Sequence, residues 1–98
     1  GIAKVGRNYF VTEGRLELVL KFLQKGYIPN VETCRQILDV LTVLTYKSVE
    51  NLKRARRSNA VALTLTVMSA HRKDSVIQSV GDSLVGKLRE VAVVMLEE

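Results

Sequence analysis

Four cations stand within five residues at Lys53-Arg54-Ala55-Arg56-Arg57, and His71-Arg72-Lys73 follows one predicted helix later. On a helix Lys53 and Arg57 share a face, as do Lys53 and Arg56, or Arg54 and Arg57. Together these seven groups could grip an acidic peptide or a phosphate backbone, whose binding is driven by charge neutralisation. The plainer reading is a solvated helix face whose C-terminal cations suit the negative end of the helix dipole. An acidic protein surface comes next, and nucleic acid after it. No aromatic residue interrupts the cluster to give bases a stacking platform, and the sequence carries no recognised nucleic-acid motif.

The other reactive side chains are scattered. His71 is the sole histidine, so any Ser–His or Cys–His pair would have to use it. Its neighbours Arg72 and Lys73 make a poor setting for a neutral base, and an exposed position is expected. Cys34 is the sole cysteine, which excludes an internal disulfide and a cysteine-based zinc site. It falls on the apolar stripe of a predicted helix and reads as a small core residue. One His and one Cys are too few ligands to hold a metal. Gly81 and Gly86 lie inside a helical stretch, so they form no phosphate loop. The chain therefore reads as non-catalytic, with no cofactor.

These groups sit on a chain of 98 residues, enough for one domain with one modest core. The composition is 47% hydrophobic and 26% charged, which excludes a disordered tail. Two Phe, three Tyr and no Trp point to a core of Leu, Val and Ile. The net charge of +5 favours an acidic partner. No apolar run approaches the roughly 18 residues that span a membrane, and no secretory signal is visible. An intracellular location is expected, cytoplasmic or nuclear. The start at Gly1-Ile2 and the end at Glu97-Glu98 read as those of a piece cut from a longer protein.

Five to six helical segments are expected. The weakest covers residues 2–12 and carries Val5, Tyr9 and Phe10. The next, 15–25, places Leu16, Val19, Leu20 and Leu23 on one stripe and meets Gly26, a natural left-handed stop. Asn30 caps a third, with Cys34, Ile37, Leu38, Leu41 and Leu44 on its apolar face up to Tyr46. Ser48 caps a short fourth helix over 49–57. The stretch 60–70 alternates Val61, Leu63, Leu65 and Val67 as a strand would, and Thr64 and Thr66 favour strands. A lone strand among helices has no partner, so a buried helix is expected. Asp74 caps the last segment, in which Gly81 and Gly86 mark close packing or a bend; a split near Gly86–Arg89 is the alternative to one long helix.

The chain also resembles itself. Leu16-Glu17-Leu18-Val19-Leu20-Lys21-Phe22-Leu23 lies over Val61-Ala62-Leu63-Thr64-Leu65-Thr66-Val67-Met68 at an offset of 45, and each follows a small turn, Glu13-Gly14 or Ser58-Asn59. Gln36–Leu41 lies over Ser79–Leu84 at an offset of 43. A short, a middle and a longer helix thus recur every 43 to 45 residues, the period of three-helix solenoid repeats. Such units bury their apolar surface on one another.

On these residues the chain resembles the armadillo family, with HEAT repeats a near neighbour. Ser48-Val49-Glu50-Asn51-Leu52 followed by Ser58-Asn59-Ala60-Val61 looks like the family's opening, and Asp74 to Leu88 like its third helix. The resemblance covers about 80 residues. It implies a right-handed α-α superhelix, with repeat one at 2–46, repeat two at 48–88, and 89–98 as an extension or the start of a third repeat. It also implies a groove lined by the third helices: Arg35, Asp39, Thr42, Val43 and Tyr46, then Gln78, Asp82, Val85, Gly86 and Arg89. The nuclear-import members carry Trp and Asn where this chain has Asp39, Val43, Asp82 and Gly86, so their peptide ladder is not expected. The implied role is a scaffold binding a protein or peptide. The alternatives are a polyanion-binding module using Lys53–Arg57, and an assembly domain that self-associates through the apolar last helix, with Val91, Val93, Val94 and Met95.

Overall fold

The computed structural model describes residues 14–98, and over them the chain is all-helical. The helix expected at 2–12 lies outside the described residues. Five α-helices follow: α1 (Arg15–Phe22), α2 (Val31–Thr45), α3 (Val49–Arg57), α4 (Ala60–Ala70) and α5 (Ser75–Leu96). No strand occurs among the described residues. No helix among them is long and apolar enough to cross a membrane.

Three helices begin with a side-chain cap. Asn30, Ser48 and Asp74 each accept the backbone N–H three residues on, from Thr33 at 2.9 Å, Asn51 at 3.2 Å and Ile77 at 2.9 Å. Each cap satisfies a donor that the first helical turn leaves orphaned. Helices α1 and α4 begin differently and alike. Gly14 (φ 71) and Asn59 (φ 69) are both left-handed, and neither makes a side-chain cap. Glycine takes that conformation freely and asparagine tolerates it. These two helices, matched at an offset of 45 in the sequence, thus start on the same backbone device.

The stop expected at Gly26 is not there. Helix α1 continues through it as a π-helical turn, Leu23–Tyr27. The end is closed instead by tertiary donors: the carbonyl of Ile28 accepts the Cys34 thiol at 3.2 Å and faces Nε2 of His71. The stretch 60–70 is helical despite its strand-like alternation. Ala60, Leu63, Thr64 and Val67 are its buried residues, and that spacing is one helical stripe. Helix α5 runs unbroken, without the split near Gly86–Arg89. Gly81 marks close packing, since a Cβ there would lie 2.7 Å from Cγ and Sδ of Met68. Gly86 faces open space.

Helices α2 and α5 lie side by side and run parallel. Arg35 meets Asp74 near their starts, and the Lys87 ammonium stands 6.0 Å from the Tyr46 ring further along. Helices α4 and α5 form a hairpin whose turn is fastened by Gln78. Its Nε2 donates to the carbonyls of Met68 (2.8 Å) and His71 (3.1 Å), satisfying the C-terminus of α4. One continuous core joins the elements, including Leu16, Leu20 and Leu23 of α1, Cys34, Leu38 and Leu41 of α2, and Ile77 and Leu88 of α5. A fully buried leucine of this kind contributes about 1.5–3 kcal/mol.

Candidate interaction surface

The basic helix α3 is a clamp. Nε and Nη2 of Arg54 donate to Oε1 of Glu17 on α1, at 3.1 and 2.8 Å. Nη1 of Arg56 donates to the carbonyl of Leu88 on α5 at 3.1 Å. Lys53 pairs with Glu98 at 2.7 Å, its side chain only 12% exposed. Nδ2 of the buried Asn51 donates to the carbonyl of Leu44, closing the end of α2. Four side chains of one short helix therefore tie it to α1, α2, the body of α5 and the C-terminal Glu98.

The patch read from the sequence is correspondingly smaller. Of its seven groups, Arg57, Arg72 and Lys73 are exposed. His71, expected in solvent, is half-buried, and its Nε2 faces the carbonyl of Ile28. A carbonyl only accepts, so this nitrogen carries the proton and donates. The ring thus links the α4–α5 turn to the end of α1. Cys34 is fully buried, and burial pushes its thiol pKa up, which suits the core role expected of it.

The groove residues divide into two groups. Arg35 is committed to the fold: Nε donates to Oδ2 of Asp74 at 3.0 Å, Nη2 reaches the same oxygen, and Nη1 reaches Glu32 at 3.3 Å. The Arg35 guanidinium, aided by the Ile77 N–H, holds the Asp74 carboxyl below the usual carboxylate range. Gln78 fastens the hairpin turn, the Thr42 hydroxyl donates to the carbonyl of Leu38 at 2.8 Å, and Val85 is buried. The second group is open to solvent: Asp39, Val43 and Tyr46 on α2, and Asp82, Gly86 and Arg89 on α5. Val43 is 54% and Tyr46 52% exposed. The Lys47 and Lys87 ammoniums stand 5.5 and 6.0 Å from the Tyr46 ring, within range of a cation–π attraction. Acids thus occupy the earlier part of this face and cations its later part.

Two open hollows flank α3. One, of about 450 Å³, lies between Glu17 and Leu20 of α1 and the Arg57–Asn59 end of α3. The other, of about 300 Å³, is lined by Val61, Ala62 and Leu65 of α4 with Arg56 and Asn59 at its edge. Among the described residues no group of three or more His, Cys, Asp or Glu could hold a metal ion. The sequence could not reveal the partners of Arg35, Arg54, Arg56 and His71, because each lies more than thirty residues away.

No protein-family model, no curated protein and no solved structure matches this chain.

Proposed function

We propose that the chain is a non-catalytic scaffold of two armadillo/HEAT-like units that binds a protein or peptide along the face shared by α2 and α5. The observation carrying this reading is the parallel pairing of those two helices, with Asp39, Val43, Tyr46, Asp82, Gly86 and Arg89 left on their solvent side. The pairing supports the superhelical reading, because third helices of successive units lie side by side in such a solenoid. The face offers an aromatic ring beside exposed apolar area, the composition enriched at the centre of interfaces, with charges of both signs around it. The reading favours a partner segment with basic residues toward Asp39 and Asp82 and an acidic residue toward Lys47 and Lys87. The polyanion alternative is the weaker one, since Lys53, Arg54 and Arg56 are engaged within the chain. The proposal includes an intracellular setting.

Peptide arrays of mixed charge, probed with the wild type and with Asp39→Lys/Asp82→Lys and Tyr46→Ala variants, test it. The wild type is expected to select peptides whose basic end is essential, and the variants to lose them with unchanged helicity. Equal retention by all three proteins would move the binding site off this face.

A further inference from the structure

Lys47 follows the end of α2 and Lys87 lies within α5, yet both ammoniums stand at the ring of Tyr46, at 5.5 and 6.0 Å. Both have carboxylates close by in the chain. Glu90 lies one turn after Lys87 on α5, a spacing that allows an ion pair, and Glu50 begins α3 just after Lys47. Neither pair forms. The ion pairs among the described residues are Arg35 with Glu32 and Asp74, Lys53 with Glu98, and Arg54 with Glu17. The negative end of the α2 dipole accounts for a cation at Lys47. Lys87 stands far from either end of its helix, so no such reason applies to it.

Two ammoniums drawn to one place attract an anion, and their number says which kind. A carboxylate carries one charge and leaves one ammonium uncompensated. A phosphate monoester carries about −1.5 to −2 at neutral pH and three acceptor oxygens, so it balances both. Lysine binds phosphate as a point charge on a flexible stem, which lets the two ammoniums close on one group. Exposed Ser83, one turn before Lys87 on the same side of α5, adds a hydroxyl donor.

We infer that Lys47 and Lys87 form a docking point for a phosphorylated side chain of the partner segment, seated beside Tyr46 at the basic end of the α2–α5 face. The inference rests on the peptide site proposed above and specifies its acidic residue as a phosphate ester.

Three fluorescent peptide libraries test it, each degenerate except for a fixed central residue: phosphoserine, glutamate or serine. Each is titrated with the protein and read by polarisation. The phosphoserine library is expected to bind roughly tenfold more tightly than the glutamate library, the worth of one more charge-assisted contact. Lys47→Ala and Lys87→Ala should each close that gap and leave the affinity for the serine library as it was. Neither lysine belongs to the core, so helicity by circular dichroism should be unchanged. Equal affinities for phosphoserine and glutamate overturn the inference and leave the peptide site standing. A gap that survives both lysine variants also overturns it, by moving the anion to other cations such as Arg72 and Lys73. So does a labelled oligothymidylate that binds more tightly than the phosphoserine library and loses that affinity in the same variants, since the phosphate would then be a nucleic acid's. Binding by none of the three libraries removes the peptide site and the inference together.

Discussion

Thr64 offers the sharpest test of the packing. It is fully buried in α4, and its hydroxyl has no hydrogen-bond partner. Three other threonines return theirs to a carbonyl four residues back: Thr42 to Leu38, Thr45 to Leu41 and Thr66 to Ala62. A buried hydroxyl left unpaired costs about 1–3 kcal/mol. Valine has nearly the same shape and a similar helix propensity, so Thr64→Val removes the penalty and leaves no void. The expected gain is about 1–2 kcal/mol, or roughly 4–8 °C in Tm for each kcal/mol in a domain of this size. Urea denaturation followed by far-ultraviolet circular dichroism measures it, with an unchanged slope showing that only stability moved. Thr45→Val is the matched control. Thr45 is equally buried, but its hydroxyl donates to Leu41 at 2.7 Å, so the substitution loses a bond and should not stabilise. A Thr64→Val protein no more stable than wild type would refute the reasoning, because it would mean that the hydroxyl is satisfied.

Two further comparisons probe α5. Gly86→Ala should stabilise by about 1 kcal/mol, the helix-propensity difference, since nothing lies within 4 Å of the added Cβ. Gly81→Ala should destabilise despite the same propensity gain, because overpacking against Met68 costs about 1–3 kcal/mol; in a Met68→Ala background its sign should reverse, as thermal melts would read. Asp74→Asn keeps a good cap but loses the charge facing Arg35. The native carboxyl lies below its ordinary pKa, so its contribution is complete above that value and is lost as pH falls through the native one. The stability gap between wild type and Asp74→Asn should be flat above about pH 5 and close as pH falls below about 4. A gap independent of pH would remove the ion pair from the account.

Local signals carried the element boundaries. Asn30, Ser48 and Asp74 announce helix starts because their short polar side chains reach the third N–H along, a geometry that needs no other part of the fold. Tertiary satisfaction defeated the same reasoning at Gly26: donors from Cys34 and His71 close the end of α1 at Ile28, so the helical turns run past the glycine. The stretch 60–70 was ambiguous because apolar residues occupy both the period-two and the helical positions. Only the neighbours settle which of them is buried. The candidate face was half legible. Its helices and their register follow from periodicity, but Arg35 and Gln78 look like surface residues in sequence and are fastened to Asp74, Met68 and His71 in the fold.

The basic run Lys53–Arg57 shows how much of a charged helix the fold itself can employ. A short helix has little apolar face to hold it, and Ala55 and Asn51 are the buried residues of α3. Ion pairs and a carbonyl contact supply the remaining anchorage, and arginine suits them because its planar fork reaches across a junction. Three of the four cations, Lys53, Arg54 and Arg56, thus contribute to the fold, while Arg57 is exposed. Gly86 presents the opposite case. Glycine inside a helix costs about 1 kcal/mol, and here no close neighbour or turn requires it. On the proposed binding face, a glycine that the fold does not require would leave room for a partner's backbone to come close.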